Sequence, residues 1–176
     1  MRVVEISELR LEPQTADHAD EMFIVLSDPA IYEYENTPPE SPTWLRDRFL
    51  RLESRQSADG SEAWLNWVIR LPNQRLIGYV QASVYADGRA AIAYILNSAH
   101  RGRGLARRAV QAMIAELAAQ HQARSFSAVL KRQNFRSSGL LKRLGFTLAN
   151  AEQSALFECE ADELAYVLER AENLLE

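Results

Sequence analysis

The sequence predicts a mixed α/β fold (α+β in its segregation), a mostly antiparallel twisted sheet flanked by helices with one strand–loop–helix–strand crossover. Three observations predict it. Residues 64–70, 76–84 and 90–96 have strand composition and are separated by Pro72-Asn73 and Ala86-Asp87-Gly88, the turn chemistry of consecutive hairpins. From Arg103 to Ala119 the period lengthens. Ala106, Ala109, Val110, Met113, Ile114 and Leu117 recur at the i, i+3, i+4 spacing of a core-facing helix. Residues 125–130 then return to strand character, and a helix joining two strands in this way makes a crossover.

The remaining elements follow in order. Residues 6–11 alternate weakly and read as a first strand closed by Pro13. Thr15 caps a helix over 17–26 with an acidic first turn, and Asp28-Pro29 stops it. Residues 31–42, rich in aromatics, carboxylates and proline, read mainly as a loop. A second helix is expected over 43–55. Asn134 caps a short helix over 135–144 with Leu140, Leu141 and Leu144 inward, and Gly145 supplies the left-handed residue after it. Strands are expected over 146–149, near 156–159 and over 163–168. The terminal AENLLE fits a helical tail, which periodicity alone does not settle.

With 176 residues, 47% hydrophobic and 25% charged, the chain is sized for a single domain over 1–176. It can bury a core without covalent staples. A net charge of −4 argues against general nucleic-acid binding. Yet Arg101, Arg103, Arg107 and Arg108 cluster, which suits a small polyanion. The single Cys159 excludes an internal disulfide, and its acidic flanks raise the expected thiol pKa. His18, His100 and His121 lack metal-ligand spacing, so no metal is expected, and His100 reads as a surface residue. The N-terminus lacks the apolar core of a signal peptide, and no stretch approaches a membrane span. A cytoplasmic protein without a membrane partner is expected.

The chemistry concentrates in residues 91–117. An apolar strand breaks at Asn97-Ser98 and passes through Arg101-Gly102-Arg103-Gly104 into the amphipathic helix. Glycines allow a tight turn and close backbone approach, and the first helical turn offers unpaired N–H groups with partial positive charge. Such a turn binds phosphate.

Arg101-x-x-Gly104-x-Ala106, followed by Asn134-x-x-Ser137 and Leu144-Gly145-Phe146 one crossover later, resembles the GCN5-related N-acetyltransferases, from about Leu9 through Phe146. The resemblance is greatest to the branch containing the ribosomal-protein alanine acetyltransferases. It implies acetyl-CoA as cofactor and N-acetyl transfer to an amine acceptor, a protein N-terminus or a small cationic amine, by direct attack in a ternary complex. It implies that the backbone of Arg101, Gly102, Arg103, Gly104, Leu105 and Ala106 grips the pyrophosphate. The strand ending Tyr94-Ile95-Leu96 would pair through its main chain with the pantetheine arm, and Asn134 would bond it from the other side. Arg103 and Arg107 are further phosphate candidates, although Arg107 and Arg108 read equally as solvated helix charges. Asn134 and Ser137 also fit a plain helix cap.

Acetyl transfer needs a neutral amine, a donor for the thioester oxygen and a proton for the departing thiolate. Many relatives place a tyrosine acid seven residues after the asparagine; here that position is Leu141. Several carry a glutamate in the preceding strand, where this chain has Ala91 and Ala93. Ser137 remains as the acid by similarity, acting by hydrogen bonding or through water. Glu35 is the pick for base or amine anchor, and Tyr32, Glu33 and Tyr34 are acceptor-binding candidates, against the alternative of a solvated acidic loop. The competing reading is a non-catalytic acyl-CoA-binding module. Both a monomer and a homodimer paired through a late strand are compatible with the sequence.

Overall fold

The chain opens with a hairpin, β1 (Val4–Ile6) and β2 (Leu9–Pro13), in the computed structural model, which describes residues 1–34, 36–157 and 159–169. The expected strand over 6–11 is thus two strands, because the chain reverses at Ser7-Glu8 without the glycine or asparagine that marks most two-residue turns. A 3₁₀ turn, Ala16–His18, leads into α1 (Ala19–Leu26), with Nδ1 of His18 accepting the Thr15 N–H at 3.0 Å. A second 3₁₀ turn, Pro29–Tyr32, interrupts the segment read as loop.

Helix α2 (Pro42–Leu52) starts one residue earlier than expected. Ser41 Oγ accepts the Trp44 N–H at 3.0 Å, and Pro42 suits the first helical position. It stops three residues short of Arg55, which adopts a left-handed conformation (φ 60°).

The meander forms as β3 (Glu62–Arg70), β4 (Leu76–Tyr85) and β5 (Arg89–Leu96). Helix α3 (Leu105–His121) then crosses to β6 (Ser125–Lys131). Next come α4 (Phe135–Arg143), β7 (Thr147–Leu148), α5 (Ala151–Leu156) and β8 (Glu163–Glu169). Where a strand near 156–159 was expected, the chain is helical to Leu156. Asn150 and Gln153 cap α5 reciprocally at 3.0 and 2.8 Å, which fixes a helix start. The terminal AENLLE lies outside the described residues.

Among the described residues the strands make one sheet in the order β1-β2-β3-β4-β5-β6-β8-β7, antiparallel except at β5–β6. Its two faces bury different partners, since successive strand residues point to opposite sides. Trp67 and Ile69 share a core with Val110, Met113 and Leu117 of α3 and with Phe126. Val68, between them, packs with Met22, Leu45 and Phe49 of α1 and α2. Ala106 departs from the expected stripe, being half-buried, whereas Glu116 is buried because Arg2 binds it through two bonds of 2.9 and 2.8 Å. Among the described residues no helix is long and apolar enough to cross a membrane.

One irregularity positions everything that follows. Strands β5 and β6 pair only through Arg89–Ser125, Ala90–Phe126 and Ala91–Ser127. Beyond that seam they separate, each remaining fully paired on its other edge: β5 to β4 through Leu96, β6 to β8 through Lys131.

Candidate active site

The separation opens a cleft of about 950 Å³. Ile92 to Leu96 line one wall, Ala128 to Leu130 and α4 the other, and the turn into α3 closes the end. The Asn97 N–H donates to the Ile77 carbonyl at 2.8 Å. The antiparallel alternation therefore aims the main chain of Ile95 and Ala93 at β4 and that of Tyr94 and Leu96 at the cleft. A strand edge with unpaired N–H and C=O groups can accept an extended ligand as an added strand. On the other edge of β5, Gly78 is what allows β4 so close: a Cβ there would lie 2.0 Å from the Ile95 carbonyl oxygen.

The turn into α3 is bolted from outside the cleft. Asn97 Nδ2 donates to the Val25 carbonyl at 3.2 Å, while its Oδ1 accepts the Ala99 N–H at 3.1 Å. Arg101 donates to the Ala30 carbonyl at 2.8 Å, so its side chain is a strap and only its backbone faces a ligand. Gly102 and Gly104 adopt φ of 75° and 73°, which side chains rarely tolerate. A Cβ at Gly102 would meet nothing within 4 Å, and one at Gly104 only the Arg108 guanidinium at 3.8 Å. The glycines therefore face open space.

No side chain caps α3, and its first described helical bond runs from Arg108 to the Gly104 carbonyl. The N–H groups of Leu105, Ala106 and Arg107 stay available to an anion. Arg107 lines the cleft without an ion pair among the described residues, and Arg103 is exposed beside it. Arg108 is committed to Glu8 and to the Arg103 carbonyl.

On the opposite wall, Asn134 Oδ1 caps α4 through the Ser137 N–H at 3.1 Å. Both residues line the cleft. The Ser137 side chain neighbours the Tyr94 phenol and partly offsets the effect of its burial. Leu141 is fully buried, so no acid could project from that position without repacking the core. Behind it, Gly145 (φ 91°) and Phe146 donate to the carbonyls of Lys142 and Leu141, each at 3.0 Å, a Schellman closure that holds the end of α4.

The residues expected to meet the acceptor separate. Tyr34 lines the cleft. Tyr32 does not, because its hydroxyl donates to the Leu26 carbonyl at 2.7 Å, and burial raises its pKa. Glu33 is paired with Arg136 at 2.8 Å, a bond that holds its carboxyl below the usual range, and it too is off the cleft wall. Glu35 lies outside the described residues. The Cys159 thiol is raised by burial first and by Glu163 second.

Two side chains join the cleft that the sequence reading did not place there. His100, read as a surface residue, lines the cleft with Nδ1 buried and unpartnered; burial, then Arg103 and Arg75, lower its pKa. Tyr94 was read for its main chain only. Its hydroxyl reaches across to the Ser137 carbonyl at 3.4 Å, and burial pushes its pKa up to about 12. Even spacing with buried Ile92 was the available signal for that orientation.

An open strand edge facing a helix N-terminus with its glycine turn makes a cleft for an extended, phosphate-bearing cofactor. Residues 8–147 match the acetyltransferase (GNAT) domain, and the chain belongs to that family. It is accordingly an N-acetyltransferase with acetyl-CoA as its cofactor. The cleft fits that molecule, with orphan N–H groups for the pyrophosphate and an unpaired edge for the amide-bearing arm.

Solved structures share the fold at low identity. The ribosomal-protein-S5-alanine acetyltransferase from Vibrio fischeri is 18% identical, with 97% of each chain covered and a TM-score of 0.77. RimL, a ribosomal L7/L12 alpha-N-protein acetyltransferase in complex with coenzyme A, is 18% identical over 95% of this chain and 97% of its own, at 0.77. The microcin C7 self-immunity acetyltransferase MccE, in complex with acetyl-CoA and AMP, is 18% identical over 94% of each chain, at 0.71. No curated protein matches the chain in sequence.

Proposed function

We propose that this N-acetyltransferase, working as one unit over 1–176, acetylates a primary amine by direct attack in a ternary complex, and that the acceptor is an α-amine such as a protein N-terminus. The carrying observation is the charge of the cleft: among the described residues that line it there is no aspartate or glutamate, while Arg107 and Arg143 line it without an ion pair among those residues. A lysine-like amine, with a pKa near 10.4, would need both a base and an acidic pocket. An α-amine, near 8, is substantially neutral without either. The ribosomal-protein acetyltransferases of similar fold favour the same reading, and a small cationic amine is the alternative. The lone unpaired cysteine fits a cytoplasmic setting.

Acetyl-CoA supplies an acetyl group activated as a thioester. The backbone of Arg101 to Ala106, with Arg103 and Arg107, holds the phosphates, and the main chain of Tyr94 and Leu96, with Asn134, orients the arm; Ile95, expected to pair with it, is turned to β4 instead. The cleft-facing N–H of Leu96 or Tyr94 stabilises negative charge developing on the thioester oxygen. Ser137 Oγ hydrogen-bonds the sulfur as it leaves. His100 offers a neutral ring nitrogen for the amine proton, directly or through water.

The test is isothermal titration of acetyl-CoA into the wild type and into Gly104→Glu, followed by a screen of peptide N-termini and polyamines for release of coenzyme A. Micromolar binding that the variant loses, with turnover on peptide α-amines, is expected. Turnover on polyamines alone would overturn the α-amine reading, and binding without turnover on any amine would overturn acetyl transfer.

A further inference from the structure

Away from the cleft, three buried N–H donors find no acceptor among the described residues: Nη1 of Arg55, Nε2 of Gln14 and Nδ2 of Asn66. Gln14 and Asn66 are only 3% and 5% exposed, so solvent does not satisfy them. They stand opposite each other. The Gln14 N–H donates to the Asn66 carbonyl at 2.9 Å, one step beyond the Pro13–Trp67 pair of β2 and β3. Opposed residues of an antiparallel pair project to one face. That face is the α1 and α2 side, because Leu65 and Trp67, flanking Asn66, both point into the α3 core.

Arg55 reaches the same place from the end of α2. Its left-handed backbone (φ 60°) brings its carbonyl to the Trp64 N–H at 2.8 Å, and its Nη2 donates to the Gln14 carbonyl. One guanidinium and two amides are thus gathered where β2 leaves β3. A buried cation needs a counter-charge. Burial pulls the Arg55 pKa below its ordinary value, and Glu53 restores only part of it. The Glu53 carboxylate is itself engaged, its Oε1 accepting the Ala16 N–H at 2.6 Å.

A cluster of donors selects its ligand by chemistry. Water would accept from two of them, but its own O–H groups would then need acceptors, and the guanidinium charge would stay uncompensated. A small anion without hydrogens answers the donors and the charge together. We propose that Arg55, Gln14 and Asn66 form a binding site for one small monovalent anion such as chloride. None of the three lines the cofactor cleft, so the site stands independently of the coenzyme A reading. Its occupant ties the end of α2 to the β2–β3 pair and stabilises that junction.

Thermal melts without cofactor test it, in sodium chloride against sodium gluconate at one ionic strength and pH. Chloride should raise the wild-type Tm by roughly 3 °C. Arg55→Met removes the charge and the donors. Asn66→Asp, nearly the same shape, brings its own carboxylate to the site. Both variants should lose the response to chloride; should Arg55→Met fail to fold, Asn66→Asp decides. Equal wild-type Tm in the two salts, or a response that persists in either folded variant, overturns the site. Crystals grown in bromide should show an anomalous peak within hydrogen-bonding distance of Arg55 Nη1, and bromide found only elsewhere overturns it equally.

Discussion

Asp28 accepts the backbone N–H of Ser98 at 2.7 Å with one carboxylate oxygen and that of Ala30 at 3.0 Å with the other. One side chain thereby joins the segment leaving α1 to the start of the cofactor turn, and Arg101, bonded to the Ala30 carbonyl, doubles the link. Asp28→Ala should cost about 1–2 kcal/mol of stability and weaken acetyl-CoA binding together, read by thermal melting and titration. The bonds from Ser98 hold the Asp28 carboxyl below the ordinary aspartate range, more strongly than burial raises it. A lowered folded pKa means stability present above the unfolded value and lost as pH falls through the folded one. The wild type should therefore lose stability to acid more steeply than Asp28→Ala; parallel acid profiles would refute the linkage.

Gly78 and Ile95 make a second prediction. The Cβ of Gly78→Ala would meet backbone, the Ile95 carbonyl at 2.0 Å, so the end of β5 must move. We expect roughly 1–3 kcal/mol of destabilisation from overpacking. A loss of cofactor affinity should accompany it, because moving Ile95 also moves its neighbours Tyr94 and Leu96, whose main chain faces the cleft. Gly145→Ala serves as the control. It strains a left-handed residue and costs about 1 kcal/mol, but lies behind α4 and should leave affinity unchanged.

Ser137→Ala should lower kcat about tenfold or more with the acetyl-CoA Kd unchanged, if the hydroxyl assists the departing sulfur. An unchanged kcat would reject that role. Tyr94→Phe distinguishes a strut from an acid. A phenol with pKa near 12 stays protonated across the working range, so a strut predicts a lower Tm and a pH profile of unaltered shape.

For a peptide acceptor, kcat/KM should rise with pH and level off near the pKa of the acceptor's own α-amine, about 8. Changing to an acceptor of lower pKa should shift the profile by the same amount. A profile fixed by an enzyme group instead would point to His100, whose lowered pKa would place the break below the ordinary histidine value.

The elements with strong periodicity were legible. Met113, Ile114 and Leu117 mark the buried face of α3, and the turns at Pro72-Asn73 and Asp87-Gly88 bound the strands of the meander. The β1–β2 turn was not, because Ser7-Glu8 carries no turn signature. Helix α5 was misread although Asn150-x-x-Gln153 is a capping box; its short run of small and polar residues offered no competing stripe. For the site, glycine and asparagine positions marked the cleft. Side-chain commitments were hidden: nothing local to Tyr32, Glu33 or Arg101 announces that Leu26, Arg136 and Ala30 will claim them.

The three-pair seam between β5 and β6 has a thermodynamic consequence. It leaves a five-strand leaf and a three-strand leaf whose sheet hydrogen bonding communicates across a few bonds, with α3 as the other splint. A ligand laid along β5 and gripped by α4 rivets the leaves together. Occupancy should then convert two loosely coupled regions of amide exchange into one cooperative unit, with protection rising in β8, which does not line the cleft, as well as in β5.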